Sequence, residues 1–247
     1  MTNPKDHAAA LARRALPLLD LTDLSEDCTP ERIAALCRDA RAGSVAAICV
    51  WPAFVKQGAQ ALAGSGIKVA TVVNFPQGGE DVAAAVAETK AALADGADEI
   101  DLVLPYRALM RGDAGRARAL VEAVRAACGP ACLKVILETG TLATPERVAE
   151  GSLLALEAGA DFLKTSTGKS PVSATPEAAG IMLAAIAASG RPAGLKVSGG
   201  LRRLEDAAAY LAIADALMGP GWAGPRTFRI GASSLYGALM DARREAA

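Results

Sequence analysis

The chain has 247 residues, of which 52% are hydrophobic and 21% charged, a composition that can bury a large core and excludes intrinsic disorder. Lys and Arg number 26 against 27 Asp and Glu, so the net charge is -1, and with no basic block neither nucleic acid nor a membrane surface is an expected partner. The single histidine, His7, excludes a His-based triad, a His-rich metal site and imidazole acid–base chemistry, which leaves lysines, carboxylates, hydroxyls and thiols.

The first segment, MTNPKDHAAALARRALPLL, carries its basic residues inside the apolar part and reads as a helix rather than a signal peptide. A strand is expected at Leu16–Leu21, followed by a helix that Thr29-Pro30-Glu31 opens with an N-cap Thr and a Pro at the first helical position. Strands follow at Val45–Trp51 and Ile67–Phe75, then an Ala-rich helix over Glu80–Ala94 that ends at Gly96. The alternation continues with strand Glu99–Leu104, helix Gly115–Ala127, strand Leu133–Leu137 and helix Pro145–Ala158, opened by Thr144 and closed by Gly159. It ends with strand Phe162–Thr165, helix Thr175–Ala188, strand Gly194–Val197, helix Leu204–Leu217 and strand Thr227–Gly231. No apolar run approaches the ~20 residues that cross a bilayer. The five cysteines (Cys28, Cys37, Cys49, Cys128 and Cys132) are odd in number and form no CxxC, so free thiols in a reducing cytoplasm are expected.

Strands alternating with helices predict a parallel sheet, and about eight such units in roughly 250 residues predict an α/β fold, a (β/α)8 TIM barrel. The barrel would take in residues 1–247 as one domain with an extra N-terminal helix. A doubly wound open sheet is the alternative, but neither GxGxxG nor a P-loop pattern follows the first strand. A barrel places its chemistry at the C-terminal ends of the strands. Polar residues concentrate there: Asp20, Thr22, Asn74, Asp101, Glu138, Lys164 to Lys169, Lys196, Ser198, Ser233 and Ser234.

Three charges interrupt apolar strands: Asp101 in EIDLVLP, Lys164 in ADFLKTSTGK and Lys196 in GLKVSGG. Strand alternation points Asp101 into the barrel, since Leu102 and Leu104 suit the helix-facing side. A buried charge is costly unless paired. One Lys–Asp pair could simply tie two strands together, but two lysines with one carboxylate exceed simple pairing. Desolvation and a second ammonium both lower a lysine's proton affinity. The neutral amine can then form a Schiff base with a carbonyl, the iminium lets an adjacent C–C bond break or form, and the carboxylate moves protons. This chemistry needs no metal or cofactor.

A second set of residues suits phosphate. Gly168-Lys169, Gly199-Gly200 with Arg202, and Gly231 with Ser233-Ser234 each follow a late strand. Glycines let backbone N–H groups approach an anion, and the loops after the last strands of a barrel are its frequent phosphate site.

With these residues in view, the chain resembles the deoxyribose-phosphate aldolases, Schiff-base enzymes of class I. The matching stretches are LLDLTDL, AAICVWPAFV, VATVVNFPQG, ADEIDLVLPYRALMRGD, LKVILETG, GADFLKTSTGKSPVSATPE, LKVSGGLR and FRIGASSL, from about Leu18 to Leu235. The resemblance implies that Lys164 forms the Schiff base, Lys196 keeps it neutral and Asp101 transfers protons, through a water. It implies that Gly168, Lys169, Gly199, Gly200, Arg202, Gly231, Ser233 and Ser234 surround the 5-phosphate, and that Asp20, Thr22 and Asn74 line the pocket. It further implies cleavage of 2-deoxy-D-ribose 5-phosphate to acetaldehyde and D-glyceraldehyde 3-phosphate, in deoxyribose phosphate catabolism, by a cytoplasmic homodimer. Some members end in a tail whose tyrosine assists proton transfer. This chain ends ARREAA, so no tail-assisted step is expected, and Tyr236 lies too early to replace it. A Schiff-base aldolase with other substrates, or a sugar-phosphate sensor without catalysis, would share part of this pattern. Cys49, late in its strand, is expected to face the pocket or to be inert core.

Overall fold

The computed structural model describes residues 4–245, so residues 1–3 of the expected N-terminal helix and the last two of ARREAA lie outside the described residues. Eight parallel strands close into a barrel in chain order. They are β1 Leu19–Asp23, β2 Ala47–Val50, β3 Lys68–Val73, β4 Glu99–Val103, β5 Cys132–Ile136, β6 Phe162–Lys164, β7 Gly194–Ser198 and β8 Phe228–Ala232. Closure is made by β1 against β8, where Asp20 faces Gly231. The helices are α1 Pro4–Ala15, α2 Pro30–Gly43, α3 Val55–Leu62, α4 Val82–Ala94, α5 Tyr106–Met110, α6 Ala114–Cys128, α7 Thr139–Leu142, α8 Pro145–Glu157, α9 Pro176–Ser189, α10 Leu204–Met218 and α11 Leu235–Arg244.

The cap residues read from sequence have the capping geometry. Thr29, Thr144 and Thr175 are extended, and each side chain accepts from the backbone N–H three residues on. Asp81 and Asp113 cap α4 and α6 in the same way. The extra N-terminal helix is present. Its Ala9, Ala12 and Ala15 are buried, and Arg14 grips Asp215 of α10 with both guanidinium nitrogens.

The first strand begins three residues later than expected. Leu16–Leu18 forms a turn of 3-10 helix, because Pro17 fixes φ and offers no N–H to a sheet. Asp20 therefore stands near the start of β1, deep in the barrel, rather than at its C-terminal mouth.

Each strand alternates between two environments, as a period of two requires. Ile48, Ile100, Leu102, Leu133, Val135, Leu163, Leu195, Val197, Phe228 and Ile230 belong to the main apolar core. The intervening positions supply buried Asp20, Glu99, Asp101, Lys134, Lys164, Lys196 and Arg229. A small separate cluster of Leu24, Cys49, Ala70 and Val72 packs near β2 and β3. No helix among the described residues is long and apolar enough to cross a membrane.

Candidate active site

Six of the buried charges form a closed ring of alternating sign. Asp20 pairs with Lys196 at 2.6 Å, and Lys196 with Asp101 at 2.7 Å. Asp101 pairs through its other oxygen with Lys134 at 3.0 Å, and Lys134 with Glu99 at 2.5 Å. Glu99 pairs with Arg229 at 2.8 Å, and Arg229 returns to Asp20 at 2.6 Å. Three cations meet three carboxylates, and each cation bridges two different carboxylates. Such a ring offsets the cost of burying charge, which an unpaired ion could not.

Lys164 is a seventh charge outside this balance. Its Nζ lies 2.7 Å from Asp101 Oδ2, an oxygen that Lys196 already occupies at 2.7 Å. It forms no other ion pair among the described residues. Burial pushes its proton affinity down, Asp101 opposes this, and the Lys196 ammonium adds to the lowering. The other lysines respond oppositely. Burial also disfavours the charge on Lys196 and on Lys134, but two carboxylates apiece outweigh it and hold both above the ordinary lysine value. Burial pushes Asp20 and Asp101 up, yet the surrounding cations hold both carboxyls well below the usual range. Of the four cations, Lys164 thus holds its proton least firmly.

Above the ring a cavity of about 470 Å3 opens at the C-terminal ends of the strands. Lys164 alone of the seven charges lines it. Thr22, Gly168, Lys169, Gly199, Gly200, Arg202, Gly231, Ser233 and Ser234 line it too, so these nine residues and the amine come together. Gly199 and Gly200 have φ of 90° and 87°, in the left-handed region, and a Cβ at Gly199 would lie 2.5 Å from Ser173. A Cβ at Gly231 would lie 3.0 Å from Lys196 Cε, so this glycine leaves room for the lysine stem beneath the cavity. Exposed Ser233 and Ser234 precede α11, and the Ser234 side chain makes no capping bond. The free N–H groups of that helix start favour an anion. Lys169 donates to the Leu24 carbonyl at 2.9 Å, tying the loop after β6 to the loop after β1.

Two expected lining residues do not line the cavity. Asp20 is fully buried in the ring, where it holds Lys196 and Arg229. Asn74 has φ 57°, and its side chain is consumed locally. Its amide donates to the carbonyls of Gly79 and Val103, and its oxygen accepts from Gly79 N–H. Cys49 places its sulfur 4.0 Å from Asp101 Oδ2, below the cavity, and burial pushes its thiol up.

Sequence reasoning missed the ring roles of Glu99, Lys134 and Arg229. Each is a charge in an apolar strand, two positions from or level with a residue that was noticed. The alternation that pointed to Asp101 applies equally to them. Also missed was the clamp made by Glu138, named above only as a polar strand-end residue. Its carboxylate accepts from the Thr167 hydroxyl at 2.5 Å and the Ser170 hydroxyl at 2.9 Å, which holds the loop carrying Gly168 and Lys169. Arg32, Asp39 and Tyr236 complete the outer wall, where Tyr236 donates to the Asp39 carbonyl.

A (β/α)8 barrel that presents one buried lysine amine beside a carboxylate, under a rim of loop glycines and serines, has the arrangement that a Schiff-base aldolase needs. The family model described as DeoC/LacD family aldolase matches residues 14–235, and the chain belongs to that family. It is 54% identical over 239 residues to the deoxyribose-phosphate aldolase of Agrobacterium fabrum, covering 95% of this chain and 91% of that one. Among solved structures it is similar to proteins assigned as deoxyribose-phosphate aldolases. An apo-form structure from Toxoplasma gondii has a TM-score of 0.89 at 30% identity, covering 97% of this chain and 98% of that chain. A structure from Coccidioides immitis has a TM-score of 0.85 at 31% identity, covering 94% of this chain and 86% of that chain.

Proposed function

We propose that the chain is a 2-deoxy-D-ribose 5-phosphate aldolase that reversibly yields acetaldehyde and D-glyceraldehyde 3-phosphate, in deoxyribose phosphate catabolism. The observation that carries this reading is Lys164: one amine, held by half a carboxylate, on the wall of the cavity. Its substrate is a small sugar phosphate and its working form a homodimer.

The open-chain substrate places its dianion on the rim formed by the loops after β6, β7 and β8. Neutral Lys164 attacks the C1 aldehyde, and loss of water from the carbinolamine leaves an iminium. The iminium accepts the electrons of the C2–C3 bond while a base takes the C3 hydroxyl proton. D-glyceraldehyde 3-phosphate leaves, C2 of the enamine is protonated, and water releases acetaldehyde and the free amine. Asp101 Oδ2 is the base nearest to Lys164 Nζ, and it moves these protons directly or across a water. Lys134 and Lys196 help hold Asp101 ionised, and burial with the Lys196 ammonium lowers the proton affinity of Lys164.

Sodium borohydride with acetaldehyde tests this reading. An aldolase gains a stable ethyl adduct on Lys164 and cleaves the phosphorylated sugar. A protein that binds the sugar phosphate without gaining an adduct is a sensor, and this function is then wrong.

A further inference from the structure

The geometry points to Lys134 and Glu99, which never reach the cavity, as the pair that sets the charge state of Lys164 through Asp101. Both are buried, and neither lines the cavity that Lys164 faces. They act as positioning residues, and the inference rests on Lys164 being the reacting amine.

The argument is one of charge counting in a confined space. The ring holds three carboxylates and three cations, and each of its cations has two carboxylate partners. Lys164 adds a fourth cation with one shared oxygen. Of the four, it has the weakest claim to a proton. That claim depends on how fully Asp101 is already occupied, and Lys134 occupies Oδ1. Glu99 in turn sets how firmly Lys134 is engaged elsewhere, since it is that ammonium's other carboxylate partner, at 2.5 Å.

The surroundings of Lys164 leave few other sources of control. Asp101 faces it from β4, Lys196 from β7 and Cys49 from β2, while Ala70 and Val72 of β3 pack beside Cys49. Asp20 on β1 and Lys134 on β5 stand one partner further away, and Arg229 on β8 and Glu99 on β4 stand two.

The count makes predictions of opposite sign for two neighbours. Glu99→Gln removes a carboxylate, leaving two against four potential cations, so a proton on Lys164 becomes less favourable. Lys134→Met removes a ring cation, leaving three carboxylates for Lys196, Arg229 and Lys164, so a proton on Lys164 becomes more favourable. The double variant restores a surplus of one.

The test is the rate of the borohydride-trapped acetaldehyde adduct across pH, with the cleavage profile alongside. Glu99→Gln should move the rising limb to lower pH by about one unit and Lys134→Met to higher pH by about one unit, a roughly tenfold change in neutral amine at a fixed pH below the limb. The double variant should return near the wild-type position. Unshifted limbs with lower rates throughout, or shifts of the same sign, overturn the inference and leave both residues as strand ties. If Lys134→Met does not fold, Glu99→Gln decides alone: a shift downward supports the inference, and none or an upward one overturns it. A wild type that traps no adduct overturns the Schiff-base reading itself, which is a distinct failure.

Discussion

Lys164 and Lys196 donate to the same atom, Asp101 Oδ2, each at 2.7 Å. One carboxylate oxygen cannot serve two ammonium groups as well as it serves one. Lys196 has Asp20 as a second partner, at 2.6 Å, and Lys164 has none among the described ion pairs. Unequal sharing of one oxygen thus separates Lys196, held above the ordinary lysine value, from Lys164, held below it.

Lys164→Ala should abolish both cleavage and borohydride trapping, because no other amine among the described residues faces the cavity beside a buried carboxylate. Peptide mapping of the reduced wild-type adduct checks this. A label on Lys196 or Lys134 would reassign the nucleophile.

Lys196→Leu should move the rising limb of the pH–rate profile upward. Burial of Lys164 would persist, but the repelling ammonium would be gone and Asp101 Oδ2 would have Lys164 as its one ion-pair partner. A loss of one to two units of depression corresponds to roughly 1.4–2.7 kcal/mol. The rate near neutral pH should fall and recover at high pH. A uniform loss at every pH would mean that Lys196 only positions Asp101.

Ser233→Asp places a negative charge at the start of α11, on the cavity rim. It should raise KM for deoxyribose 5-phosphate by roughly tenfold, since like-charge contact at an exposed rim position costs on the order of 1 kcal/mol. Use of unphosphorylated deoxyribose should change little. Equal losses on both substrates would remove the phosphate assignment.

Glu138→Ala should release Thr167 and Ser170, and with them the loop that carries Gly168 and Lys169. Three hydrogen bonds to a buried carboxylate are lost, from the Thr167 and Ser170 hydroxyls and a longer one from the Thr167 N–H, about 1.5–3 kcal/mol for each hydroxyl bond. KM should rise more than kcat falls, and Glu138→Gln should recover part of the loss through its remaining acceptor. Hydrogen exchange confined to residues 166–174 would report the loosened loop; unchanged exchange there would refute the clamp.

Cys49 and Lys164 converge on Asp101 Oδ2, so an unsaturated aldehyde formed from two acetaldehydes and condensed on Lys164 would meet the sulfur. Burial pushes the thiol up, so this damage should be slow at neutral pH and faster as pH rises. Cys49→Val, close in volume at a fully buried position, should fold and resist high acetaldehyde. Inactivation of this variant at the wild-type rate, with no mass linking the two side chains, would return Cys49 to core packing.

Much of this protein is legible before folding is considered. Apolar runs of strand length, Ala-rich helical stretches and three Thr-Pro-Glu starts are local signals, and the β4 to β8 strands fall within one residue of their expected bounds at each end. Asp101, Lys164 and Lys196 are legible because a charge in an apolar strand has no cheap explanation. The loop glycines are legible because phosphate sites in barrels recur after the late strands.

Other features exist only once the barrel closes. Asp20 moves from pocket wall to ring member because Pro17 delays β1 by three residues, which drops the carboxylate into the interior. Asn74 turns inward on its own loop because its backbone adopts the left-handed region. Glu99, Lys134 and Arg229 look like isolated charges along the chain, but they meet because strand stagger brings β4, β5 and β8 side chains to one level. The amino-acid sequence determines which residues are costly to bury. Only closure decides which of them share a partner, since that depends on distances across the barrel between strands up to 209 residues apart in the chain. Lys164 stands apart for that reason: its chemistry is that of any lysine, and burial with one shared carboxylate oxygen lowers its hold on a proton.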